Sequence, residues 1–192
     1  MHLAISIAIA CVLTVAVGPC AHAQAQAAGA STYNVEVIIF RNSGARELVT
    51  GSSGRLQSNS DGDSAVDNPQ IGRLTNITPA SRLQLAGLRQ KLSAGGYRVL
   101  AHAGWTQTAS SWGTRVGLPI ESLGLDVAGL SGFFLLERGS LLHLGMNLRY
   151  AVDGGAAQEL NELRRVRFNE RNYYDHPGIG VIAVVTPGGN AN

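Results

Sequence analysis

Alternation of apolar and polar positions first becomes clear at Tyr33–Phe40, where Val35, Val37 and Ile39 share one face and Asn34 and Glu36 the other. A β-branched run with period two predicts a strand. Residues 42–77 are rich in Gly, Ser, Asn and Asp, have no apolar period and read as a long loop. Leu85, Leu88 and Leu92 then recur at helical spacing. Thr78 and Pro79 suit the start of that helix, Thr as N-cap and Pro in the first turn, and Gly95-Gly96 suits its end.

Tyr97 begins a second strand of period two. Tyr97, Val99, Ala101, Ala103 and Trp105 are placed on one face, with Arg98, His102 and Thr106 on the other. Residues 109–129 have mixed polarity and no clear period. Gly132–Arg138 reads as a short apolar strand, and Gly139-Ser140 as a two-residue hairpin turn. In Leu141–Tyr150, Leu142, Leu144, Met146, Leu148 and Tyr150 point inward while His143, Asn147 and Arg149 point outward. Asp153-Gly154-Gly155 is a further turn and Leu160–Phe168 a further strand, dense in arginine. Val181–Val185 is a continuous β-branched run, suited to a strand buried on both faces. The order predicts an α+β domain: one mainly antiparallel sheet of about six or seven strands, with a single main helix on one face.

The N-terminal pattern is different. No Asp, Glu, Lys or Arg precedes Glu36, Leu3–Val17 is apolar, and Gly18-Pro19 breaks the run before small-residue sites around Ala21, Ala23 and Ala25. This is the pattern of a secretory signal peptide over residues 1–25. A retained membrane anchor is the rival reading, but a span needs about 20 apolar residues. Cys20 is a poor lipoprotein acceptor because Pro19 precedes it. The expected organisation is therefore a leader (1–25), a lead-in (26–32), one domain (33–187) and a tail (188–192). Both cysteines, Cys11 and Cys20, lie in the leader, so the exported chain has no thiol for disulfides or catalysis. Periplasmic localisation follows, without stable membrane insertion once the leader is removed.

Charge adds little to the picture. The formal net charge is +2, and Lys91 is the sole lysine among 15 Lys and Arg. A nucleic-acid binder needs a denser basic face. There is no nucleophile elbow, phosphate loop or Walker sequence, and Gly51-Ser-Ser-Gly54 is not one. His102, His143 and His176 are dispersed, so no metal site is predicted. Asn59–Asp63 has calcium-loop oxygens without the later bidentate Glu, and reads as a solvated loop. No cofactor is expected.

Three groups of residues remain as candidates for chemistry. Tyr174, Asp175 and His176 precede Pro177. They read as a turn into the last strand, with Asp175 capping the bend; the rival is acid–base work by Asp175 and His176, which face opposite ways on extended chain. His102 and Trp105 lie on opposite faces of one strand. Trp105 suits core packing, while Trp105 or Trp112 could instead offer a flat face to a sugar. His143, Asn147 and Arg149 project together, and Arg165 and Arg167 share a face on the next strand. Such arginines bind carboxylates of a glycan or peptide, or else pair with Glu36, Glu162 or Glu170.

Several blocks together resemble the CsiV family of peptidoglycan-binding proteins, secreted by Gram-negative bacteria. They are Tyr33–Arg41; Leu92–Gln107 with His102-x-x-Trp105-x-Gln107; Leu130-Ser-Gly132; Leu142-His143-Leu144; Asn147-Leu148; and Arg164-Arg165 through Tyr174-Asp175-His176-Pro177-x-x-Gly180. The likeness runs from Tyr33 to about Pro187 and rests on the order of the blocks. It implies a periplasmic, non-enzymatic protein that binds peptidoglycan and supports wall synthesis and cell shape, through wall-synthesis proteins as partners. The chain departs from the family pattern after the first strand, where other members carry an acidic, Trp-containing segment. Two alternatives stand beside this reading: a protein–protein adaptor without glycan contact, and a wall hydrolase using Asp175, His176 or His143.

Overall fold

Short apolar runs become strands in chain order: β1 (Thr32–Arg41), β2 (Gln70–Ile71), β3 (Thr78–Pro79), then helix α1 (Ala86–Ala94), β4 (Arg98–Thr108), β5 (Ser110–Ser111), β6 (Val116–Pro119), β7 (Leu130–Arg138), β8 (Leu142–Tyr150), β9 (Gln158–Arg165), β10 (Arg171–His176) and β11 (Ile179–Pro187). A computed structural model describes residues 31–41, 66, 70–71, 77–151 and 156–188. The leader, most of the lead-in and tail, nearly all of 42–76 and the Asp153–Gly155 turn lie outside the described residues. So do Gly51–Gly54 and Asn59–Asp63.

The mostly antiparallel, single-helix composition is as expected. The strands divide between two sheets, however, where the sequence suggested one. The first sheet has the order β10-β11-β1-β4-β3 and the second β2-β6-β7-β8-β9, with β5 alongside β7. The inward faces of both sheets supply one core. Val35, Val37, Ile39, Trp105, Val181 and Ala183 come from the first, and Phe134, Leu136, Leu144, Met146 and Leu148 from the second. Trp105 and Phe134 meet at 5.2 Å between centroids. Tyr174 spans the layers, its buried hydroxyl donating to the Leu144 carbonyl at 3.0 Å. Alternation identifies a buried face but not the face it meets, which is why the second sheet was not legible.

The other face of the first sheet carries the helix. Ile38, Phe40 and Val184 pack on Leu85, with Leu88 and Leu92 beside them. The leucine spacing therefore identified the helix correctly, but its start was misplaced. Thr78-Pro79 is an edge strand paired with Thr106 and Trp105, and the helix begins at Ala86. Leu85, at the N-cap, has no side-chain oxygen. The buried Glu36 carboxylate serves instead, accepting the Gln84 N–H at 2.7 Å and the Leu85 N–H at 2.8 Å. The end is as expected. Gly96 adopts φ +86°, the Tyr97 N–H returns to the Leu92 carbonyl at 3.0 Å and the Gly96 N–H to Ser93 at 3.3 Å, a Schellman closure.

Smaller departures have local causes. A bulge opposite Ile39 and Phe40 skips Leu100, so Val99 turns to the helix side while Ala101 and Trp105 face the other sheet. The single face drawn from Tyr97 to Trp105 breaks there. The β7–β8 loop has three residues, because Arg138 pairs with Leu142. The strand expected to reach Phe168 ends at Arg165. His176 pairs with Ile179 across Pro177-Gly178, so the His-Pro-Gly redirection holds. Asp175 itself lies on β10, accepting the Tyr173 hydroxyl at 2.8 Å rather than capping the bend. β11 is buried along most of its length, as its composition required.

Candidate functional site

The outer face of the second sheet is laid out in rows by strand register. One row is Glu137–His143–Arg165, the next Leu135–Gly145–Leu163, then Phe133–Asn147–Asn161 and Ser131–Arg149–Glu159. Val66 lies over the second row, against Leu135 and Leu163, with its N–H on Asn161 Oδ1 at 2.7 Å. Gly145 leaves the room: a Cβ there would stand 3.1 Å from the Val66 side chain and 2.8 Å from Leu163. His143 and Arg165 are thereby separated from Asn147 and Arg149 by an apolar ridge.

The first row is the more elaborate. Glu137 is fully buried and accepts hydrogen bonds from the Gly113 N–H at 3.2 Å, the Arg115 N–H at 2.5 Å and the Arg115 guanidinium at 2.7 Å. These bonds fold residues 111–115 into a tight turn. Gly113 (φ +86°) and Arg115 (φ +53°) both occupy the left-handed region, which costs a non-glycine residue about 1–2 kcal/mol. A buried carboxylate with three donors can hold such a conformation. The Trp112 N–H bonds the Arg138 carbonyl at 3.1 Å, completing the attachment to β7.

The turn presents Trp112 at the surface. Its side chain is half exposed, lies 4.2 Å from the His143 ring between centroids, and has the Arg115 guanidinium carbon 5.1 Å from its own centroid. Burial holds the His143 imidazole below its ordinary value, and Arg115 and Arg165 act in the same direction; the Leu141 backbone and Glu137 oppose them. At neutral pH the imidazole is uncharged, and the positive charge of the corner belongs to its arginines. Arg165 is exposed and opposite His143 in register. Across Gly139, a cavity of about 290 Å³ is lined by Ser110, Ser111, Arg138 and Tyr33, the last two joined by an Arg138 to Tyr33-hydroxyl hydrogen bond. A half-exposed indole can stack on a sugar ring, and a guanidinium beside it can take a carboxylate.

The other sequence candidates lie elsewhere. His102 is on the helix side of the first sheet, with Nε2 2.7 Å from Glu36 Oε1. Trp105 is buried in the core, its indole N–H on Gln107 at 2.6 Å, and Tyr174 is also in the core. Arg167 follows β9 and pairs loosely with Glu170 at 3.6 Å, with both side chains largely exposed. Asp175 and His176 are consecutive on β10, where adjacent side chains diverge. The sheet therefore groups His143 with Arg165, and Asn147 with Arg149, but gathers none of the rest with them. Among the described residues, no three His, Cys, Asp or Glu side chains converge as a metal site would need, and no helix is long and apolar enough to cross a membrane.

Sequence reasoning named Trp112 only as an alternative to Trp105, and missed Arg115 and Glu137. The available signal was Glu137 itself, an acid inside the apolar run Gly132–Arg138. An acid so placed needs buried partners.

A family model described as "Peptidoglycan-binding protein, CsiV" matches residues 2–188. No curated protein and no solved structure matches the chain.

Proposed function

The chain belongs to the CsiV family of peptidoglycan-binding proteins, and from that premise we propose that it binds peptidoglycan directly, through the Trp112 corner of the second sheet. The carrying observation is the half-exposed Trp112 ring, fixed by the Glu137-anchored turn and flanked by Arg115 and His143. A rigid aromatic held at the surface loses little entropy on binding and offers a sugar ring a flat apolar partner. In this reading the protein is exported to the periplasm by its leader and acts without catalysis in support of wall synthesis. The family is described by binding rather than by a reaction. Asp175 and His176, on opposite sides of an extended strand, are poorly placed to cooperate as a hydrolytic pair.

Co-sedimentation of the mature protein with purified peptidoglycan at physiological salt tests this reading. The protein is expected in the pellet. Pelleting no greater than that of a control protein of similar size and charge would count against direct binding.

An adaptor role is the second reading. Tyr97 and Tyr173 are each more than a third exposed and flank the buried Phe40 ring, at 5.3 and 6.2 Å between centroids. Exposed aromatics grouped in this way suit a protein contact. Cross-linking in intact cells separates the two, since an adaptor retains its wall-synthesis partners after glycan digestion and a glycan-tethered protein does not.

A further inference from the structure

Glu137 is the carboxylate acting on His143 at this corner, and it is fully buried. Its oxygens are committed to Gly113 and Arg115, so it presents no acid to an incoming ligand. The Arg115 guanidinium gives Nη1 to Glu137 and keeps its place beside the indole, with about a quarter of the side chain exposed. Arg165 is exposed and has no ion pair among the described residues. Beyond Gly139, Arg138 lines the neighbouring cavity. Trp112 thus has the Arg115 guanidinium 5.1 Å from its ring centroid and the His143 ring at 4.2 Å, with Arg165 opposite His143 in register, and the acid of this row among the described residues, Glu137, is buried.

We infer that this corner selects a carboxylate carried on or next to an N-acetylated sugar, with Arg165 and Arg115 taking the carboxylate while Trp112 takes the ring. The inference rests on the glycan contact proposed above and adds its ligand class: the anionic repeat of peptidoglycan rather than a neutral glycan. Two features support the assignment. Guanidinium forks match carboxylates in bidentate geometry. The indole face lies within reach of both the Arg115 charge and the His143 ring, so a ring stacked there holds its substituents beside the guanidinium groups. A neutral N-acetylglucosamine chain could use the indole but would offer no anion to Arg165 or to the part of the Arg115 guanidinium not engaged by Glu137.

Purified peptidoglycan and the same material with its carboxyl groups converted to amides are the probes. Wild-type protein and Arg165→Gln are sedimented with each. Arg165 is exposed, and its side chain has no hydrogen bond or ion pair among the described residues, so its replacement is expected to leave the fold intact. The wild type is expected to bind native peptidoglycan about tenfold more tightly than the amidated form, a difference of about 1.4 kcal/mol. Arg165→Gln should lose most of that preference. Equal binding of both materials by the wild type, or an unchanged preference in Arg165→Gln, overturns carboxylate selection and leaves glycan binding standing. Failure to pellet with either material overturns the underlying glycan reading instead. Competition with soluble disaccharides identifies the source. A disaccharide bearing only the sugar's own carboxylate competes if that group is read, whereas only the peptide-bearing disaccharide competes if the stem is.

Discussion

Removing the Glu36 carboxylate should loosen the helical layer without disturbing the packing between sheets. Glu36 is 6% exposed and holds three donors: the N–H groups of Gln84 and Leu85, at 2.7 and 2.8 Å, and His102 Nε2 at 2.7 Å. The nine-residue helix that follows has no side-chain cap of its own, and a helix shorter than about 12 residues is marginal without tertiary support. In Glu36→Ala each buried N–H left without an acceptor costs about 1–3 kcal/mol. The helix also loses an anion at its N-terminus, worth about 0.3–1 kcal/mol. Allowing for water reaching the His102 side, the two orphaned N–H groups and the lost anion give a net loss of about 3–5 kcal/mol. For a domain of this size that corresponds to a fall in Tm of roughly 6–20 °C. Glu36→Gln keeps one acceptor oxygen and should lose about half as much. Urea denaturation followed by far-UV circular dichroism gives the stability directly. The His102→Ala single and double variants give the coupling between the two side chains. A Glu36→Ala protein whose thermal midpoint, measured by the same circular dichroism signal, lies within 2 °C of wild type would refute the role assigned to this carboxylate.

Other residues make separate demands. Gly132 has φ +132°, and a Cβ there would sit 2.1 Å from the Asn147 carbonyl oxygen. Gly132→Ala should therefore part the β7–β8 ladder and abolish soluble expression or shift Tm by more than 10 °C, about 3 kcal/mol or more; a near-native melt would contradict that geometry. Partial burial holds the His143 imidazole below its ordinary value of 6.5 in the folded chain. Between that lowered value and 6.5 the unfolded chain binds the proton more readily, so stability rises with pH across the window. In denaturant titrations at pH 5 and 7, His143→Gln should lose less stability on acidification than wild type. Burial, followed by the hydrogen bond to Asp175 and its charge, pushes the Tyr173 phenol up to about 12. The native state holds this proton longer than the unfolded one, so stability falls as pH rises from 10 towards 12. Ultraviolet titration should show a late phenolate that disappears in Tyr173→Phe and shifts down in Asp175→Asn.

Much of the fold was legible because period two survives in the chain. β1, β8 and β11 stand where alternation or a continuous β-branched run placed them, and Leu85, Leu88 and Leu92 found the helix. What sequence could not supply were long-range partners. The Thr78-Pro79 cap signature was chemically sound, but pairing with Thr106 and Trp105 claimed those residues, and the true cap came from Glu36 on a distant strand. The two-sheet arrangement was hidden for a related reason, since an apolar face does not name the face it will meet. The grouping of His143 with Arg165 followed from the meander. The turn that presents Trp112 did not, because it lies in a stretch without periodicity and is held by an acid concealed in an apolar strand. The divergence of Asp175 and His176 was visible from the start, since neighbours on extended chain point apart.

Direct wall binding through the Trp112 corner is best tested by a sedimentation isotherm of wild type and Trp112→Ala on purified peptidoglycan, with thermal melts of both as the control for folding. Trp112 is half exposed, so its loss should leave the melt nearly unchanged while weakening binding by about tenfold or more, as loss of an anchoring aromatic does. Equal isotherms for the two proteins would contradict the account.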